Sequence, residues 1–544
     1  MRRLNDLIQS YIDNQDILGA AIAILQDGDL VYLGGFGKTS IEENSVPVTP
    51  HTLFAYGSIS KTICATLIMR LIEGGLLDLD TPVLQYLPDL QFSNPDLGRK
   101  ITLRHVLSHT TGLPAAGKDW GLRDRDSLRR FVYEQIPHYK FLSEPGSVHL
   151  YSSTVFCIAG HVAEAVTGRY YEDLAQKYVF DPLKMTSTTF DPAVAVTYPV
   201  ALPHETSPEG DLRVLHRMPS NASGNPSGFA IGSVSDLANL AQMYINEGIL
   251  AFDRFLSSSS MIEMLRPHAS RHIEGHAHPL AHVYQGYGLG INVGHYRGRR
   301  AARHGGMSLS YNCFFDLFPD ERAGILLLTN YSQEEPLMEL VTALYDHALG
   351  LPHRGIVPSE KPQPIDPLPG IEQLQCYAGT YLNVETAVLA SFNVVDYELV
   401  LERQGQSLQL VPFGDARFLA QVSENYRLSV AFFDGSAGKV NHVMIAGESY
   451  FPVELDPAFQ PDLSLWKAYE GVYKDPSNTN PEETFIVRLQ DNAIYIAEGE
   501  HEAPGKAISN RSFLSDLGLI EFEDSDSDEV KVLVWGKATR YYPQ

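Results

Sequence analysis

Ser58 and Lys61 stand three residues apart in Phe54-Ala55-Tyr56-Gly57-Ser58-Ile59-Ser60-Lys61. On a helix, positions i and i+3 share a face, so the lysine amine comes within hydrogen-bond reach of the serine hydroxyl. A serine hydroxyl is a weak nucleophile until a neighbour takes its proton. Lysine can be that neighbour once burial lowers its pKa toward neutrality. The first turn of the helix adds partial positive charge where an oxyanion would form. The same two residues also fit an N-capping serine beside a solvated lysine. Spacing alone does not choose, because both residue types are common.

The elements that would position this pair are legible around it. Leu4, Leu7, Ile8, Tyr11 and Ile12 recur at spacings of three and four, which predicts an amphipathic helix at the start. Ala20 to Leu25, the turn Asp27-Gly28-Asp29 and Leu30 to Leu33 predict a hairpin. A helix is expected from Ser58, apolar through Ile63, Leu67, Ile68 and Ile72, ending at Gly74-Gly75. Helical patterns recur near 101–110, 126–135, 152–167 and 234–247, and strand-like runs near 286–293, 311–317 and 323–330. Helices in the middle with strands at both ends predict an α+β domain. Its antiparallel sheet would join the N-terminal hairpin to the later strands.

Prolines at 358, 362, 364, 367 and 369 mark a linker over 355–370, after an expected domain of residues 1–354. Short alternating strands follow. Tyr377-Ala378-Gly379-Thr380-Tyr381 and Tyr469-Glu470-Gly471-Val472-Tyr473 share a Y-x-G-x-Y pattern, each opening a block of strand-like sequence. The expectation is a β-barrel over 371–460 and a second over 461–544, or two halves of one barrel. The acidic run from Glu521 to Glu529 is expected to be a solvated loop.

Bulk composition narrows the partners. The formal net charge of −25 disfavours nucleic acid and an anionic membrane surface. Cys64, Cys157, Cys313 and Cys376 form no CxxC pair, so neither a metal ribbon nor a disulfide scaffold is expected. Polar residues interrupt the N-terminal apolar stretch, which argues against a cleaved leader, and no run of ~18 apolar residues exists to span a membrane. A cytoplasmic protein with free thiols is the expectation.

Residues 47–114 resemble the class C β-lactamase and penicillin-binding family. The landmarks are F-A-Y-G-S-I-S-K, then L-I-E-G-G-L-L-D-L-D-T-P-V at 71–83, then I-T-L-R-H-V-L-S-H-T-T-G-L-P at 101–114. The order of these blocks is the specific feature, and SxxK is a penicillin-binding signature. The resemblance covers roughly residues 5–350. It implies an antiparallel sheet flanked by helices, plus an all-helical subdomain.

It also implies site roles. Tyr151, in Tyr151-Ser152-Ser153, matches the family's Tyr-x-Asn and would relay protons between Ser58, Lys61 and the leaving group. Ser153 replaces the usual asparagine, with a shorter reach toward lysine and substrate. His304-Gly305-Gly306 stands where the family has Lys-Thr-Gly. His304 would face the cleft, Gly305 and Gly306 would let a substrate backbone approach, and the N–H groups of Ser58 and Met307 would form an oxyanion hole. A His-Gly-Gly third motif resembles D-aminopeptidases, D-amino-acid amidases and related esterases. D-aminopeptidase relatives also carry two lipocalin-like C-terminal barrels, with a loop of the last barrel reaching the active site.

Other signals are weaker. Gly34 to Thr39 ends like a phosphate loop, but the first required glycine falls on Tyr32. His272, Glu274, His276, His278 and His282 lack zinc spacing and are expected to lie in an exposed loop. No GxSxG elbow is present. The expected function is a serine hydrolase acting through an acyl-enzyme on a small-molecule or peptide amide or ester, with no metal and no cofactor. The alternatives are an acyltransferase or peptide cyclase using the same intermediate, and a non-catalytic binding or scaffold protein. The tail would gate the cleft or support a homodimer.

Overall fold

The computed structural model describes residues 2–543 apart from 15, 115–122, 208–209, 274–284, 354–364, 366–367, 385, 387, 424–425, 435–438, 454–458, 475–483, 499–500, 516–517, 525–530 and 536–538. The linker at 355–370 and the histidine-rich stretch at 272–282 fall mostly outside the described residues.

The predicted hairpin, Gly19–Gln26 and Asp29–Gly37, forms one edge of an eight-stranded antiparallel sheet. Gly19–Gln26 pairs on its other side with Ala323–Thr329, which joins the two ends of the domain. The sheet continues through Tyr311–Phe318, Arg299–Ser308, Asn292–Tyr296, Gly286–Tyr287 and Ala269–Ser270. Gly19–Gln26 is apolar up to Leu25 because both its faces are covered. Ala20, Ile22 and Ile24 face the helices Arg2–Asp13 and Glu334–Ala348. Ala21, Ala23 and Leu25 face a larger core shared with Ile59–Glu73 and Val234–Ile245. The α+β class holds, with helices on both faces and an all-helical part between residues 83 and 195.

Helix Ile59–Glu73 starts and stops where predicted, with Gly75 supplying the left-handed residue at its end (φ 73°). It is buried nearly all round, as a central helix must be. The apolar run near 286–293 is not one strand. It breaks at Gly288–Gly290, where Gly290 is left-handed (φ 69°), donates its N–H to Leu107 O (2.8 Å) and accepts from Thr62 Oγ1 (2.7 Å). Helix Glu334–Ala348 escaped the sequence reading. Its signal was there, in Leu337, Leu340, Val341, Leu344 and Tyr345 at helical spacing.

Beyond residue 378 the strands close into two antiparallel eight-stranded barrels, between 379 and 452 and between 471 and 543. The shared Y-x-G-x-Y pattern makes equivalent structures in both. Tyr381 Oη donates to Tyr377 O (3.2 Å) and Tyr473 Oη to Tyr469 O (2.8 Å). Tyr377 stacks on Phe432 and Tyr469 on Phe522, so aromatic side chains fill both interiors.

Both barrels dock on the first domain. Ser449 Oγ of the first barrel donates to His149 O (3.1 Å), and Glu448 pairs with Arg271 (3.0 Å). Glu523 of the second bonds Lys140, so residues 521–524 of the acidic run belong to an interface strand, and the remainder of the run lies outside the described residues. Leu382 and Val384 of the first barrel meet Leu514 and Leu519 of the second over Leu142. No disulfide joins the four cysteines. No described helix is long and apolar enough to cross a membrane.

Candidate active site

Ser58 sits at the mouth of helix Ile59–Glu73 (φ −64°, ψ −6°), and its side chain makes no capping hydrogen bond. The N-cap alternative therefore fails, and the hydroxyl is left for Lys61. Several contacts hold it there. Strand Leu53–Ala55 pairs with Ile231–Ser233. Ser60 Oγ donates to Gly57 O (2.7 Å) and accepts the Ala230 N–H (3.0 Å). Gly57 is left-handed (φ 55°), and a β-carbon on it would lie 2.6 Å from Met307 N. Only glycine allows both the turn and that approach.

The Lys61 side chain is fully buried. Its Nζ donates to Ser58 Oγ (3.1 Å), Ser153 Oγ (3.1 Å) and Ser227 O (2.9 Å). Ser153 thus reaches lysine despite its shorter side chain. The Tyr151 ring centroid lies 4.8 Å from Nζ. Residues from three separated stretches converge on one amine.

Beside Ser58 opens a cleft of about 240 Å³, lined by Ser153, Asn221, Ser227, Phe229 and Met307 among others. Segment 221–229 was missed from sequence. Its small residues, Asn221-Ala222-Ser223-Gly224-Asn225, match no motif, and nothing local announces that the Ser227 carbonyl meets a lysine. Strand Arg299–Ser308 closes the opposite side. Its partner Asn292–Tyr296 reaches only Arg303, so on that side residues 304–308 pair with no strand among the described residues. Met307 is 74% exposed at the cleft rim.

His304 does not face the cleft as expected. It is buried, with Nε2 bonded to Tyr287 Oη (2.9 Å) and Nδ1 to Gly305 O (2.7 Å). Gly306 does not await a substrate either. A β-carbon there would sit 1.8 Å from Tyr56 O, so the protein's own backbone uses the missing side chain. Gly305 is half-buried, and its carbonyl serves His304.

Burial, reinforced by the Lys61 charge, holds the His304 imidazole down at about 3. Burial drives His109 and His149 the same way. These histidines are neutral when folded, whereas unfolded imidazoles take a proton near pH 6.5. Between those values the unfolded chain binds more protons, so stability falls as pH falls. Each such histidine contributes up to about 1.4 kcal/mol per pH unit. Urea unfolding is expected to show declining stability from pH 7 to pH 5, with a shallower slope in His304→Gln. A flat profile in the wild-type protein refutes this.

Among the described residues, no His, Cys, Asp or Glu cluster is placed to hold a metal ion. His272, the described member of its histidine-rich stretch, packs on Phe433 of the first barrel. The expected reach of the last barrel toward the site is not seen among the described residues. The first barrel, through Asn383, Val384 and Ser449, shares a small pocket with Tyr151.

The Beta-lactamase family profile matches residues 4–349. Penicillin-binding protein 4 of Amycolatopsis lactamdurans is 29% identical over 376 residues, covering 67% of this chain and 92% of that protein. Protein flp of Staphylococcus aureus (strain MW2) is 22% identical over 339 residues, covering 61% of this chain and 64% of that protein. The crystal structure of SurE superposes with a TM-score of 0.66 at 22% identity, over 83% of this chain and 99% of that one. The octameric penicillin-binding protein homologue from Pyrococcus abyssi gives 0.55 at 23%, over 82% and 99%. At these identities the structural likeness speaks to fold.

Proposed function

The chain belongs to the Beta-lactamase family, whose members are serine hydrolases, and from that premise we propose that Ser58 attacks the carbonyl of an amide or ester and becomes acylated. The observation that carries this reading is the buried Lys61 amine, shared between Ser58 Oγ, Ser153 Oγ and Ser227 O. As Ser58 Oγ bonds to the carbonyl carbon, its proton passes to the Lys61–Tyr151 pair. The carbonyl oxygen, now an oxyanion, is met by the N–H groups of Ser58 and Met307. The pair returns the proton to the leaving amine or alcohol as the bond to carbon breaks. Water, deprotonated by the same pair, then releases the acid.

His304 acts from behind the site, orienting Tyr287 without touching substrate. A fluorophosphonate probe with peptide mapping tests the reading. The adduct is expected on Ser58, and a protein that takes no label is a binding or scaffold protein. A panel of D- and L-aminoacyl amides, p-nitrophenyl esters and a chromogenic cephalosporin sorts peptidase, esterase and β-lactamase activity.

The oxyanion hole makes Gly306 a sensitive position. Gly306→Ala must move either its own strand or Tyr56–Ser58, because the added carbon meets backbone. The expected cost is about 1–3 kcal/mol of stability and about 10²-fold in turnover of p-nitrophenyl acetate. Wild-type kinetics in this variant would separate Met307 from the reaction.

Acyl transfer is the second reading. SurE, which shares the fold, has been solved with D-Leu. An amine seated in the cleft would intercept the acyl-enzyme in place of water. Product analysis with D-leucinamide present distinguishes an N-acyl product from the free acid.

A further inference from the structure

Tyr151 lies between two hydrogen bonds made to a single histidine. The Leu150 N–H donates to His109 O (2.8 Å) and the Ser152 N–H to His109 Nδ1 (3.1 Å). The imidazole lies against the phenol, with ring centroids 4.3 Å apart, and 4.7 Å from the ring of Tyr287. We propose that His109 is a positioning residue that sets the Tyr151–Ser153 segment against Lys61. Its effect on turnover rests on the hydrolase reading above.

The backbone supports this role. Residues 109–112 run beside 142–152, with Leu142 N–H donating to Gly112 O (2.8 Å) and Gly146 N–H to Thr110 O (2.7 Å). The Leu150 bond continues that series. The imidazole adds the next link, just past Tyr151, where a side chain takes over from the backbone.

The residue type is specific to the task. His109 is left-handed (φ 57°), a conformation that costs a residue with a β-carbon. Its ring is fully buried, and its Nε2 has no hydrogen-bond partner among the described residues. An apolar ring would fill the same space without burying an unpaired N–H. What the imidazole adds is an acceptor at Nδ1. Burial, with His149 and Lys61 nearby, keeps the proton off it.

The test uses the full chain and four variants: His109→Ala, His109→Asn, Tyr151→Phe and the His109→Ala/Tyr151→Phe double. Two readouts are taken, kcat for p-nitrophenyl acetate per mole of folded protein and amide hydrogen exchange across residues 150–153. His109→Ala is expected to lower kcat about 10²-fold, with KM within about twofold, and to speed exchange in the segment. Asparagine tolerates the left-handed backbone and can accept the Ser152 N–H. It is expected to restore kcat to within about tenfold of wild type. The double variant is expected to be no slower than Tyr151→Phe, because the two residues act as a unit.

Multiplying losses in the double variant, or unchanged kcat in His109→Ala, overturns the proposal. Should the wild-type protein turn over no ester and take no fluorophosphonate on Ser58, the hydrolase reading falls separately. Exchange then judges His109 alone. Unchanged exchange in His109→Ala overturns the proposal, and faster exchange reversed by His109→Asn sustains it.

Discussion

Replacing Ser58 with alanine is expected to lower kcat for p-nitrophenyl acetate by about 10⁴-fold or more and to leave the protein folded. The activity loss follows from removing the hydroxyl that Lys61 holds at the helix mouth beside the cleft. The small stability change follows from the same geometry. Ser58 Oγ does not cap its helix, and its backbone is already helical, which suits alanine. Lys61 keeps Ser153 and Ser227 O as acceptors. One lost hydrogen bond costs about 1 kcal/mol. Steady-state kinetics beside a thermal melt check both halves. Turnover at the wild-type level would place the nucleophile elsewhere, and a large drop in melting temperature would mean that Ser58 serves the fold.

The largest stability effect is expected at Asp316. Arg303 and Asp316 face each other across neighbouring strands, 2.9 Å apart and both 2% exposed. Tyr345 Oη donates to Asp316 Oδ2 (2.7 Å), and the guanidinium lies 5.1 Å from the Phe314 ring centroid. Burial pushes the Asp316 carboxyl up, while the Arg303 charge pulls it back down.

Asp316→Ala removes the buried counter-charge, and breaking such a pair costs about 3–5 kcal/mol. Against a typical domain stability of about 5–15 kcal/mol, that is a large share. The melting midpoint is expected to fall by roughly 10 °C. Arg303 precedes His304 on the strand that carries Met307, so ester turnover should also be lost at a lower temperature. A double variant, Arg303→Met with Asp316→Leu, is expected to recover most of the midpoint, because an apolar pair carries no desolvation cost. An Asp316→Ala midpoint within about 2 °C of wild type would mean the guanidinium is compensated by other groups.

The sequence by itself determined what short-range periodicity controls. Ser58 and Lys61 share a helix face because three residues make nearly one turn. Gly75 ends that helix because glycine adopts positive φ without strain. The Y-x-G-x-Y pattern marked a repeat because the same local contacts recur in each copy, while strand pairing decided that the copies close as two barrels.

Tertiary structure decided everything that depends on which distant surfaces meet. Ser153 and the Ser227 carbonyl reach Lys61 from 92 and 166 residues away, a convergence that only packing can set. His304 turned inward because Tyr287, on a neighbouring part of the sheet, offered a hydroxyl, and Gly306 was claimed by Tyr56. His109 lay unnoticed within a recognised motif, since an imidazole that accepts a remote N–H looks in sequence like any other. A residue's neighbours along the chain constrain its backbone angles, whereas its hydrogen-bond partners and its exposure are set by the packed whole.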